Sequence, residues 1–225
     1  MCGRYSFATS KEKLNKHFGL SIKTDLEKRY NIDPTQKAYV IMSDSPKELK
    51  QLKWGLVPHW ANSEGFGSNL INARSEGISS KPSFRLPIRR KRCLVLADSF
   101  YEWKNYGRKK MPHRIVSKES QLMVFAGIWD EWKGRQTFTI ITTTPNEEMK
   151  WIHGRMPVIL PTIETQQKWL SNLSLKAVLE LLKPMEDNTL RVYPVSDRLN
   201  KVDGHDAADL WTEVKSPPTL FDFTK

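Results

Sequence analysis

Short apolar runs rich in β-branched and aromatic residues, bounded by polar and turn-forming segments, recur through much of this chain and predict strands rather than helices. The runs are Ala38 to Met42, Leu49 to Trp54, Cys93 to Ala97, Phe100 to Trp103, Ile115 to Val116, Leu122 to Ile128, Thr137 to Thr143 and Leu190 to Val195. Turn-forming segments such as Asn105-Tyr106-Gly107 join neighbouring runs, so hairpins and a largely antiparallel sheet are expected. Helical signals are fewer. Thr9 and Glu12 stand at capping-box spacing, Leu14, His17 and Phe18 share one face, and Gly19 stands where a helix stops, which predicts a helix over residues 10 to 19. Two more are expected at 163 to 170 and 174 to 183, the second ended by Pro184. The segment 61 to 92 has little periodicity and is read as a long basic loop carrying Asn72, Arg74, Arg85 and Arg89 to Arg92. An irregular tail, about 216 to 225, contains Pro217 and Pro218.

Length and composition sharpen this picture. The 225 residues point to one large domain over 1 to 225, and 39% hydrophobic residues, with 8 Trp, 6 Tyr and 9 Phe, supply a sizeable core and exclude wholesale disorder. No stretch approaches the roughly 20 apolar residues of a membrane span, and the first residues lack the apolar centre of a secretory signal. A soluble, cytoplasmic protein is expected. Two cysteines, Cys2 and Cys93, cannot build a disulfide framework or a four-cysteine zinc site. Thirty-six Lys and Arg against 25 Asp and Glu leave a net charge of +11, which concentrates polyanions near the surface.

The candidate chemistry begins at Cys2. Loss of Met1 places an α-amine and a thiol on one carbon skeleton, and groups with ordinary acidities of about 7.7 to 8.0 and about 8.5 are both partly nucleophilic near neutrality. Such a pair condenses with an aldehyde through a Schiff base that the sulfur closes to a thiazolidine; alternatively, the thiol attacks an amide, as a cysteine peptidase does. Glu102 lies in the aromatic run Phe100 to Trp103, where burial raises a carboxyl toward the range useful for proton transfer, unless it is an edge residue facing solvent. His153 reads locally as a structural histidine, and Asn72 as either a turn cap or an orienting hydrogen bonder. The histidines at 17, 59, 113, 153 and 205 are too scattered for a metal site, and no glycine-rich phosphate loop precedes a helix, so neither metal nor cofactor is expected. Trp60, beside a basic loop and Arg108-Lys109-Lys110, has the make-up of a platform for unstacked bases, whereas Trp54 and Trp103 are expected in the core. The run Arg89 to Arg92 is expected to be a solvated face.

Six ordered blocks, Met1 to Tyr5, Arg29 to Pro34, Trp54 to Pro58, Ile71 to Glu76, Phe100 to Lys104 and His153 to Pro157, resemble the SOS response-associated peptidase (SRAP) family, whose members are also called abasic site processing proteins. The resemblance implies an α+β fold, a β-rich domain of mainly antiparallel, barrel-like sheet with flanking helices. It implies a groove for single-stranded DNA and a covalent crosslink to abasic sites. Carried over by position, Cys2 supplies amine and thiol, Asn72 holds the terminal residue, Glu102 moves protons, and His153 assists sugar-ring opening and crosslink reversal. Arg4, Asn31, Pro34, Trp60, Arg74, Thr142 and Arg155 match positions along the DNA path. Some members have two consecutive tryptophans where this chain has Trp60-Ala61.

Overall fold

The computed structural model describes residues 2–107, 109–119, 122–200 and 206–215. Met1, Arg108 of the basic run, His205 and the tail from 216 onward, with Pro217 and Pro218, lie outside the described residues.

The elements in chain order are β1 (Tyr5–Phe7), α1 (Lys11–Phe18), β2 (Arg29–Ile32), β3 (Lys37–Met42), β4 (Ser45–Trp54), β5 (Asn72–Arg74), α2 (Pro87–Arg90), β6 (Arg92–Ala97), β7 (Ser99–Tyr106), β8 (Lys109–Ser117), β9 (Met123–Trp132), β10 (Arg135–Thr143), α3 (Glu147–Lys150), β11 (Met156–Pro157), α4 (Ile163–Leu170), α5 (Leu175–Glu180) and β12 (Leu190–Pro194). Two sheets result. One is antiparallel, in the order β12-β8-β7-β1-β2. In the other, β10, β4, β3, β6 and β9 pair in turn, and β9 pairs back onto β10, which closes a barrel; β5 and β11 attach to β10 outside the ring. The barrel is antiparallel except at β4 and β10, which run parallel with Thr137 opposite Lys53. The α+β, barrel-like expectation is what the chain adopts.

Closure explains the sequence pattern. Strands β6 and most of β9 are buried on both faces, one lining the barrel and the other packing under α4 or the second sheet, so they read as continuous apolar runs. Trp54, Phe125 and Phe138 fill the centre, with the Tyr5 ring 5.1 Å from Trp54 in an edge-on contact. Gly127 admits no side chain there: a Cβ would meet Val95 at 2.8 Å and Cys93 at 2.9 Å. A second close approach, Gly55 against Gly67, folds the 55 to 70 segment onto the end of β4; a Cβ on Gly55 would lie 2.7 Å from the Gly67 carbonyl oxygen. That approach carries Trp60 outward.

Several expectations are corrected. Ser10, not Thr9, caps α1, accepting from Lys13 N–H, while the Thr9 hydroxyl donates to the Asp98 carboxylate instead. The helix at 174 to 183 is shorter, Leu175–Glu180, ending before Pro184. The 61 to 92 segment is not one loop: it holds a 3-10 turn at Glu64–Asn69, strand β5 and helix α2. Asn72 is therefore a strand residue rather than a turn cap. No helix among the described residues is long and apolar enough to cross a membrane.

Candidate functional site

The site lies where the two sheets meet. Tyr5 stands opposite Ile32 of β2 and Phe100 of β7, and the Arg4 carbonyl accepts the Tyr101 N–H at 2.9 Å. Continuing this antiparallel register carries residues 2 to 4 along β7 toward Glu102. Cys2 is fully buried, and its carbonyl accepts a hydrogen bond from Asn72 Nδ2 at 2.7 Å. Asn72 comes from the barrel side, on β5, which is fixed in parallel register against Ile140 to Thr142 of β10. The side-chain oxygen of Asn72, Oδ1, is buried with no hydrogen-bond partner among the described residues.

Burial sets the electrostatics. Glu102 is 3% exposed, and loss of solvation pushes its carboxyl up to about 7. The same cause, followed by the nearby Glu102 charge, pushes the Cys2 thiol well above its ordinary value. A thiol so placed is held protonated. His153 is held below the ordinary histidine value, first by burial. Its Nδ1 lies 3.0 Å from the backbone nitrogen and 3.3 Å from the carbonyl oxygen of Arg155, which together fix the ring in place. Two anchors flank His153 in the chain: Trp151, against His113 of β8 at 5.3 Å between rings, and Arg155, bound to Glu76 and to the Thr142 carbonyl.

The residues expected on the DNA path fall into three groups. Arg74, at the end of β5, stands opposite Thr142 in register, and Arg155 donates to the Thr142 carbonyl at 2.6 Å, so these three share a corner. Arg155 also clamps both oxygens of Glu76, at 2.7 and 2.9 Å. Arg74 is exposed and has no ion-pair partner among the described residues. In a second group, Arg4 donates to Asn31 Oδ1 at 2.7 Å and to the Leu199 carbonyl at 3.0 Å, and pairs with Asp33 at 2.5 Å; Pro34, half-buried, follows directly. Trp60 stands apart. It is 44% exposed, edge-on to Phe66, and no ring contact or hydrogen bond joins it to the Cys2 neighbourhood among the described residues. Trp54 is core as expected, while Trp103 is only half-buried, its Nε1 donating to Asn200.

The run at 89 to 92 is not uniformly a solvated face. Arg89 and Arg90 are exposed, but Arg92 is buried, its guanidinium donating to the carbonyls of Ile88, Arg89, Trp169 and Ser171. Sequence reasoning also missed residues beside the site. His113 lies directly opposite Glu102 across the β7–β8 ladder. Trp151 is 46% exposed, with the Lys104 ammonium 4.2 Å from its ring centre. The available signal was alternation: Glu102, Lys104 and Tyr106 occupy one face of β7, so a carboxylate there predicts that its i+2 and i+4 neighbours line the same wall.

Comparison with known proteins gives a consistent result. Residues 1–202 match the family described as SOS response associated peptidase (SRAP). The chain is 41% identical over 212 residues to the abasic site processing protein YoqW of Bacillus subtilis (strain 168), covering 89% of this chain and 94% of that protein. It is 32% identical over 212 residues to the abasic site processing protein HMCES of Gallus gallus, covering 77% of this chain and 62% of that protein. A crystal structure of a protein from Bacteroides thetaiotaomicron superposes with a TM-score of 0.85 at 30% identity, covering 95% of this chain and all of that one.

Proposed function

This chain belongs to the SOS response associated peptidase family, and from that premise we propose that it captures abasic sites in single-stranded DNA through the α-amine and thiol that Cys2 offers once Met1 is removed. The observation that carries this reading is a carboxyl poised at about 7, on Glu102, beside a cysteine whose carbonyl Asn72 fixes at 2.7 Å. The names of the relatives point to the electrophile, the open-chain aldehyde of a deoxyribose that has lost its base.

The order of steps follows from the acidities. Because the thiol is held protonated, the amine attacks the aldehyde carbon first, forming a carbinolamine. Its hydroxyl leaves as water with a proton from the Glu102 carboxylic acid, giving a Schiff base. The Schiff base keeps the remaining amine proton on nitrogen, and the sulfur then adds to its carbon as the Glu102 carboxylate takes up the thiol proton. One C–N and one C–S bond have formed, one water has left, and the product is a five-membered thiazolidine. A carboxyl that is about half ionised near neutrality serves as acid in one step and base in the next. His153, held near the chain by its Arg155 contacts, is suited to exchanging a proton with the ring oxygen as the sugar opens. Asn72 Oδ1 offers an acceptor for the reacting amine.

DNA is held by the surplus of +11, with Arg74 as the first phosphate contact because no carboxylate competes for it among the described residues. Trp60 is the stacking platform. The rival reading, a cysteine peptidase that removes its own Met1, demands an ionised thiol, and burial beside Glu102 opposes that. The test is incubation of Met1-free protein with a single-stranded oligonucleotide containing one abasic site. A heat-stable crosslinked band that Cys2→Ala abolishes is the expected result; equally stable crosslinking by the variant defeats the thiazolidine.

A further inference from the structure

A cavity of about 740 Å³ opens between the start of α1, the far end of β8 and β12, and it shares no lining residue with the Cys2 site. Arg114 forms part of its wall and is only 9% exposed. Its Nε donates to Ser99 Oγ at 2.9 Å and its Nη1 to Tyr193 Oη at 2.7 Å, both neutral partners, and the Trp211 ring covers the guanidinium at 3.7 Å. Among the described residues no carboxylate lies within ion-pair distance of it, and Nη2 has no hydrogen-bond partner.

The contrast with Arg92 is informative. That guanidinium is also buried, yet it spends its donors on four backbone carbonyls, two of them in the last turn of α2. Arg114 instead meets two neutral oxygens at hydrogen-bond distance, with the Asp98 carboxylate acting on it only as a longer-range electrostatic neighbour. The acid nearest in kind, Asp98, also lines the cavity, but its two oxygens accept from Ala8 N–H and the Thr9 hydroxyl. Exposed Lys13 and Lys118 line the same cavity, against a single exposed acid, Glu119, and the N-terminus of α1 begins there at Ser10. A largely buried cation with no carboxylate at ion-pair distance, in a cavity rimmed by further cations, is stabilised by an anion that enters the cavity.

We propose that this cavity is a second anion site, built to take a phosphate group on Arg114, with a volume that accommodates a nucleotide. It is independent of the lesion chemistry at Cys2. The probes are inorganic phosphate and dAMP, titrated against the folded chain by calorimetry and thermal melting. Saturable binding of at least one probe is expected, retained in Cys2→Ala and Arg74→Ala and weakened at least tenfold in Arg114→Gln. If Arg114→Gln does not fold, the double variant Lys13→Ala, Lys118→Ala at exposed positions replaces it, with at least a fivefold loss expected. Equal affinity for both probes assigns the site to phosphate alone; tighter binding of dAMP assigns it to a nucleotide. The proposal is overturned by no saturable binding of either probe, by unchanged affinity in the folded Arg114→Gln or rim variant, or by a response lost in Arg74→Ala.

Discussion

Asn72 reaches from the outside of the barrel to hydrogen-bond the Cys2 carbonyl at 2.7 Å, joining the two sheets at the point where the chemistry is proposed. The bond leaves the fold of β5 to its backbone pairing with β10. Asn72→Ala should therefore leave the melting temperature within a few degrees and lower the crosslinking rate on the order of tenfold, the worth of one buried hydrogen bond. Binding of undamaged single-stranded DNA should be unaffected. Single-turnover kinetics at saturating abasic oligonucleotide check the rate; an unchanged rate removes Asn72 from the positioning of Cys2.

Glu102 makes a pH prediction with two readouts. Its carboxylate form, the base, accumulates as pH rises through about 7, so a rate limited by thiol proton removal should rise over the same range and flatten above it. Glu102→Gln should abolish that inflection. Stability runs the opposite way. A carboxyl raised from an ordinary value of about 4.3 holds its proton more tightly folded than unfolded, so its contribution favours the fold at low pH and is lost as pH rises through about 7. Glu102→Gln should accordingly be more stable than the parent at pH 8, on the order of 3 kcal/mol, with the difference vanishing near pH 4. Denaturant melts at the two pH values decide it: equal stabilities at pH 8 contradict a buried, raised carboxyl.

Arg74→Ala should weaken single-strand binding and reduce the slope of log affinity against log salt by about 0.7, the share of one phosphate contact. Parallel slopes for parent and variant take Arg74 off the phosphate path.

Two tryptophans should behave oppositely. Trp60 is exposed and Trp54 fully buried against Tyr5 and Phe138. Trp60→Ala should cost about 1 to 3 kcal/mol in single-strand binding with little change in stability. Trp54→Ala should instead cost about 3 to 5 kcal/mol of stability. Fluorescence titration and thermal melting separate the two, and a Trp60 variant that binds as tightly as the parent excludes stacking there.

The long strands were legible because β-rich apolar runs mark most of β3, the end of β4, and much of β9 and β10. The strands that hold the site were not, since β1 and β5 have three residues each and β11 has two, too few for a period to register. Their conformation comes from partners: β2 and β7 for Tyr5, β10 for Asn72. Burial of Glu102 could be read from its aromatic neighbours, whereas the fate of Arg92 depended on carbonyls of Trp169 and Ser171, 77 and 79 residues away. The α1 cap moved from Thr9 to Ser10 for the same reason: Asp98, remote in sequence, takes the Thr9 hydroxyl.

The most direct measurement is the intact mass of Met1-free protein after incubation with an abasic oligonucleotide and heating. The account predicts one species at the summed mass less one water, absent for Cys2→Ala and for protein that retains Met1. An unmodified mass, or the same heat-stable adduct from either control, contradicts it.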